Sequence, residues 1–184
     1  MIGWLIEHWR VIRLIGLTML ALVSAPLFQG SSWGRGHDPV RAIDELLAMN
    51  CAELEAVYRQ GTVCGIPPGR VRGTVFLDPG RRRNARLARA TRVVWQGKVI
   101  HATGTAAVNR FFGLPLVRAQ VCEGASWLDG APALILDYSR SSIIYANYRD
   151  EIRQVGPKVY LGLMYARTAP RPTLRLYFAL EVRD

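Results

Sequence analysis

The C-terminal run 173-TLRLYFALEV-182 alternates without interruption. Leu174, Leu176, Phe178, Leu180 and Val182 fall on one side of an extended chain, and Arg175, Tyr177, Ala179, Glu181 and Arg183 on the other. A period of two held over ten residues cannot form the single apolar stripe of a helix, so this segment is read as a strand. A lone strand is not stable, and the chain must supply neighbours for it. Candidates precede it at short intervals: 71-VRGTVFL-77, 116-LVRAQVC-122, 132-PALILDYS-139, 143-IIYANYRDEIRQV-155 and 158-KVYLGLMYA-166. Turn residues separate them, among them Asp78-Pro79-Gly80, Asp129-Gly130 and Gly156-Pro157. Successive strands with short connections predict an antiparallel meander that closes into a barrel or wraps against helices. The expected class is α+β, mainly β.

Helical signals are confined to two places. Asp38-Pro39 reads as an N-cap followed by proline at the first helical position, with Ile43, Leu46 and Leu47 as the apolar stripe. Asn50 and Glu53 form a capping box for a second start, with Leu54, Val57 and Tyr58 as its stripe and Gly61 as its stop. Two short helices, or one kinked helix, are therefore predicted over 39–60. The segment 81–95 has helical spacing that puts Leu87, Ala90, Thr91, Val94 and Trp95 on one side. Arg82, Arg86 and Arg89 fall on another, as a solvated face or an anion-binding stripe.

Residues 1–30 differ in kind. Arg10 and Arg13 precede an uncharged, mostly apolar stretch to Gln29, the pattern of a secretory signal or an uncleaved N-terminal anchor. Basic residues on its N-terminal side predict a domain exported, periplasmic or held at the outer face of the cytoplasmic membrane. A linker over 31–38, rich in Gly and Ser, then leads into a single domain over 39–184. Three cysteines, Cys51, Cys64 and Cys122, leave one over in an exported chain, and the sequence does not decide whether Cys51 and Cys64 bridge.

The net charge of +10 invites a nucleic-acid reading. Of the 24 basic residues, however, only Lys98 and Lys158 are lysine, a skew that genome composition produces as readily as phosphate binding. No nucleic-acid partner is expected. There is no CxxC, HExxH, GxSxG or GxxxxGK[ST], so no metal, no cofactor and no nucleophile motif is read.

The charge-dense stretch 148-YRDEIRQVGPKVYLG-162 reads as a hairpin about Gly156-Pro157. Alternation puts Arg149, Glu151 and Arg153 on one face and Asp150, Ile152 and Gln154 on the other. That register pairs Glu151 with Gly162 and Asp150 with Leu163, and places Asp150 beside Leu161, Leu163 and Tyr165, where a carboxylate needs a partner. Asp137, between Leu136 and Tyr138, is the other carboxylate in an apolar strand. Asp137, Asp150 and Glu151 are thus the candidates for acid and base chemistry, with Arg149 or Arg153 holding an anionic group. Trp95, Tyr138, Tyr145, Tyr148, Tyr160 and Tyr165 offer amphipathic rings of the kind that line pockets for apolar ligands.

Several pieces, 95-WQGK-98, Asn109, 126-SWLDG-130, 134-LILDYS-139, 149-RDEIR-153, 160-YLGLMY-165 and 54-LEAVYRQGT-62, together resemble an uncharacterised bacterial family of lipocalin-like proteins over about residues 50–182. The glycine that lipocalins proper carry two residues before their tryptophan is absent before Trp95. The resemblance implies a calycin-type barrel, the architecture of small apolar-ligand carriers. The reading that follows is a non-enzymatic domain binding a lipid or another small apolar molecule through Trp95, Tyr138, Tyr148, Arg149, Arg153, Tyr160 and Tyr165. An enzyme using the paired carboxylates is the first alternative. The second is a module that docks on anionic membrane through Arg82, Arg86 and Arg89.

Overall fold

The computed structural model describes residues 42–183. The expected leader over 1–30, the linker over 31–38 and the Asp38-Pro39 cap lie outside them. Eight antiparallel strands form a closed barrel in sequence order: β1 (Gly69–Phe76), β2 (Trp95–Ile100), β3 (Ala106–Phe111), β4 (Leu114–Ala125), β5 (Pro132–Asp137), β6 (Tyr148–Gly156), β7 (Val159–Ala166) and β8 (Thr173–Val182). β8 pairs with β1 from Val71↔Val182 to Phe76↔Tyr177, which removes both sheet edges. The meander is therefore as expected. The strand expected to begin at Ile143 begins instead at Tyr148, and 138–147 forms the β5–β6 loop.

Among the described residues three helices accompany the barrel: α1 (Ile43–Ala48), α2 (Cys51–Gln60) and α3 (Asn84–Thr91). The capping box is present, with Asn50 Oδ1 accepting from Glu53 N–H and Glu53 Oε2 accepting from Asn50 N–H. It breaks 43–60 into two helices, since an N-cap residue must leave helical geometry. In α3 the buried residues are Asn84 and Ala88, not the expected stripe of Leu87, Ala90 and Thr91. The face was set by tertiary contacts: Asn84 Nδ2 donates to Leu47 O and its Oδ1 accepts from Asp78 N–H, locking the helix against α1 and the end of β1. Arg82, Arg86 and Arg89 are exposed, as expected.

The principal core lies outside the barrel. Ile43, Leu46 and Leu47 of α1 and Leu54, Val57 and Tyr58 of α2 join Phe76, Val155, Val159, Leu161, Leu163, Tyr165, Tyr177 and Ala179 from the outer faces of β1, β6, β7 and β8. This explains why β7 reads as a continuous apolar run: helices cover its outer face, and its inner face lines the bore. β4 on the opposite side has no such cover and alternates between exposed and buried residues at Leu116–Gln120.

Within the bore, two glycines make space for two rings. A methyl group on Gly73 would overlap the Trp95 ring, and one on Gly162 would overlap the Phe178 ring. Trp95 and Phe178 then meet edge to face at 5.7 Å. An eight-stranded barrel is just wide enough for side chains to fill or for one small ligand. At this level the two rings fill it.

The β6–β7 register corrects the sequence expectation. The turn is centred on Pro157-Lys158, with Gly156↔Val159, Gln154↔Tyr160, Ile152↔Gly162, Glu151↔Leu163 and Asp150↔Met164, and a bulge between Gln154 and Gly156. Proline stands at the second turn position and Lys158, with φ 60°, at the third, the pattern of a type II turn. The twist of such a turn mismatches that of the strands, and the bulge absorbs the difference. Gly162 consequently faces Ile152 and Phe178 rather than Glu151. Leu161, Leu163 and Tyr165 share the outer face with Glu151, and Asp150 looks into the bore.

Candidate functional site

The stretch 149-RDEIR-153 separates two charged clusters, one on each side of the barrel wall. On the inner side, Asp150 meets Lys98 at 2.9 Å, and both are buried. Lys98 Nζ also donates to Asn109 Oδ1 at 2.7 Å and to Tyr138 Oη at 2.9 Å, so its three hydrogens are all placed. The Tyr138 hydroxyl donates to Asp150 Oδ2 at 2.6 Å and accepts from Asn109 Nδ2 at 2.9 Å. Asn109 completes its set by accepting from Trp95 Nε1 at 3.0 Å and donating to Val117 O. The register explains the convergence: Lys98 lies opposite Asn109 across β2–β3, and Asp150 opposite Leu136, two residues before Tyr138.

The ammonium of Lys98 is also enclosed by rings, 5.5 Å from the centroid of Trp95, 5.6 Å from Tyr138 and 5.3 Å from Phe178. Burial pushes the Lys98 ammonium below its ordinary value, and the charge and hydrogen bond of Asp150 oppose it. Burial, reinforced by the Asp150 charge, holds the Tyr138 phenol well above its usual range.

Both hydrogen bonds to Asp150 fall on Oδ2. Among the described residues none is made to Oδ1. Tyr138, Tyr145 and Tyr148 pack in sequence as tilted rings with centroid separations of 5.8 and 5.7 Å, and Phe111 joins Tyr145 at 6.0 Å. Tyr145 and Tyr148 are half-buried, and no protein hydrogen bond engages either hydroxyl among the described residues. Burial and the nearby Asp150 push the Tyr145 phenol up to about 12. The barrel end that carries the β3–β4 turn and the β5–β6 loop thus presents an aromatic ring set above a buried carboxylate. At the opposite end, Tyr160 donates to Gly65 O and Thr62 pairs with Gln154, tying the segment after α2 across the β6–β7 end.

The outer cluster is structural. Glu151 accepts from the Ser126 hydroxyl at 2.5 Å and from Trp127 N–H at 2.9 Å, and pairs with Arg149 at 3.1 Å. Arg153, 2% exposed, grips Asp129 with two parallel bonds of 2.8 and 2.7 Å and donates to the carbonyls of Tyr58, Ala131 and Pro132. Its hydrogen bonds with Arg153 outweigh burial and hold the Asp129 carboxyl below the usual range. The 126–130 loop and the C-terminus of α2 are clamped to β6 by these contacts.

The expected site residues divide accordingly. Trp95, Tyr138 and Tyr148 belong to the inner network and its mouth, and Tyr160 to the opposite end. Arg149, Arg153 and Tyr165 lie outside, where Tyr165 packs edge to face on Trp127 and Arg149 stacks over it. The three carboxylates do not share a site. Asp137 is half-buried on the outer face with Arg167 at 2.9 Å and the Ser139 N–H, Glu151 serves the 126–130 loop, and only Asp150 is in the bore. Lys98 was missed as a functional residue. Its signal was available in retrospect, as one of two lysines in an arginine-dominated chain and placed within a strand. Cys51, Cys64 and Cys122 are exposed and unpaired. Among the described residues there is no group of three metal-ligating side chains, and no helix is long and apolar enough to cross a membrane.

No family model matches the chain, and comparison with curated proteins gives no match. Among solved structures, the chain is similar to a protein from Thermomonospora curvata, with 19% identity over 77% of this chain and 96% of that one and a TM-score of 0.50. That likeness concerns the fold alone.

Proposed function

We propose that this chain is a non-enzymatic, lipocalin-like binding domain, exported or anchored at the outer face of the cytoplasmic membrane, that takes a lipid or other small apolar molecule at the aromatic end of its barrel. The observation that carries the reading is the Asp150 carboxylate, buried below Tyr138, Tyr145 and Tyr148 with both protein hydrogen bonds on one oxygen. The rings supply flat apolar surface, and the second oxygen and the two outer hydroxyls supply a few polar contacts that fix orientation, the usual division of labour in small-molecule sites. The ligand is accordingly amphipathic, with a donor group directed to Asp150 and its apolar part among the rings. The Lys98–Asp150 pair keeps the site neutral, so the ligand need carry no net charge.

Native mass spectrometry of the full chain after exposure to a lipid extract tests this. A retained small molecule is expected on the wild type and a depleted one on Tyr145→Ala/Tyr148→Ala. No adduct on the wild type, or equal retention on the variant, would reject the site.

A further inference from the structure

The outer face of β1, β2 and β3 carries a feature that the ligand reading does not use. Arg70, Arg72, Arg92, Arg110 and Arg183 line an open depression of about 450 Å³ together with Gln96. Arg72 and Arg110 lie on either side of Gly97 in the register, so no side chain stands between their Cα positions, which are about 10 Å apart by strand spacing. Gly97 cannot be otherwise: its φ is 111°, and a methyl group there would run into the Val71 carbonyl and the Gly73 amide. Glu181 pairs with Arg183 at 2.8 Å. Among the described residues no carboxylate pairs with Arg70, Arg72, Arg92 or Arg110, and Arg92 Nε is buried without a hydrogen-bond partner. These arginines outnumber the one carboxylate beside them, Glu181, which lies opposite Arg72 across β1–β8, and the excess positive charge creates a local field that an anion relieves.

An apolar tip stands beside this depression. The β3–β4 turn places Phe112 and Gly113 at φ 51° and 82°, so a phenylalanine occupies a left-handed position where Asn or Gly would be easier. Phe112 is 45% exposed, Leu114 and Leu116 each 52%, and Val93 72%. Gln96 joins the two features. Its Oε1 accepts from Gly113 N–H at 2.9 Å, and its Nε2 donates to Val93 O at 2.9 Å and Arg92 O at 3.1 Å. Through Gln96 the turn is tied by hydrogen bonds to the segment that carries Arg92 and Val93.

We propose that the arginine depression and the Val93/Phe112/Leu114 tip form one docking surface for an anionic phospholipid bilayer. The guanidinium groups take lipid phosphates, and the apolar side chains enter the headgroup boundary. A nucleic acid would satisfy the arginines but leave the apolar tip in water, so the pairing of the two favours lipid. The proposal stands apart from the ligand reading and from the helical stripe of Arg82, Arg86 and Arg89.

Hydrogen exchange of the full chain tests it, because exchange reads residues 92–97 and 110–117 locally whatever else holds the protein to a vesicle. Those segments are expected to gain protection on vesicles containing phosphatidylglycerol and not on pure phosphatidylcholine, with the gain fading as salt rises. Arg72→Gln/Arg110→Gln is expected to weaken docking about thirty-fold, from the contribution of each arginine near an anionic surface. Phe112→Ser/Leu114→Ser, which removes exposed side chains only, is expected to reduce protection while leaving the salt dependence in place. Equal exchange on both vesicle types, or protection indifferent to both variants, would overturn the proposal. Stronger protection of the same segments by a DNA duplex than by anionic vesicles would replace it with a nucleic-acid surface.

Discussion

Replacing Lys98 by methionine keeps an unbranched apolar stem one atom shorter and deletes the charge. At a separation of 2.9 Å the ion pair is worth about 6 kcal/mol of attraction at an effective dielectric constant near 20. Desolvating each ion costs several kcal/mol, so the intact pair is near neutral against an apolar substitute. Removing one partner is different, because the desolvation of the other remains without compensation; the expected loss is about 3–5 kcal/mol. For a domain of this size that is a fall in Tm of roughly 10–15 °C. Asp150→Leu is expected to cost a similar amount, since it strands a buried ammonium. The double variant is expected to cost clearly less than the sum, with a coupling energy of about 3 kcal/mol or more. Urea denaturation of the wild type, both single variants and the double variant, followed by tryptophan fluorescence, gives the cycle. Single losses below about 1 kcal/mol, or strict additivity, would show that the pair is not a closed buried unit. The reading of Lys98 and Asp150 as a mutually dependent buried ion pair would then fail.

Two further expectations concern packing and titration. Gly162→Ala forces a methyl group into the Phe178 ring and should cost about 1–3 kcal/mol by overpacking, with relief from Gly162→Ala/Phe178→Leu; equal stability of Gly162→Ala and wild type in thermal melts would contradict the packing described. The Tyr145 phenol is raised from 10.0 to about 12. A group raised on folding gives stability that is full below its unfolded value and is lost as pH climbs through the folded one, so Tyr145 contributes a loss between pH 10 and 12. Lys98, lowered on folding, gives the opposite slope but is common to both proteins. The stability difference between wild type and Tyr145→Phe should therefore shift in favour of the variant across that window, and a constant difference would show that Tyr145 does not titrate as described.

The local pattern set much of this molecule in advance. Period-two alternation placed Phe178 and Leu180 on one face of β8 and Tyr177 and Ala179 on the other. The Asn50–Glu53 box fixed a helix start, and alternation alone divided Arg149, Glu151 and Arg153 from Asp150. These are interactions within a few residues, where chain geometry leaves one arrangement. Tertiary structure decided what is contingent on distant partners. The β6–β7 register shifted because the turn formed at Pro157-Lys158, a choice that alternation does not see until the strands are paired. Gly162 and Gly73 became seats for Phe178 and Trp95 only when β8 and β2 closed against their neighbours. Asp150 found Lys98, 52 residues away, because closure brings β2 and β6 to the same bore, and a low-dielectric interior leaves a carboxylate no stable alternative to a cation.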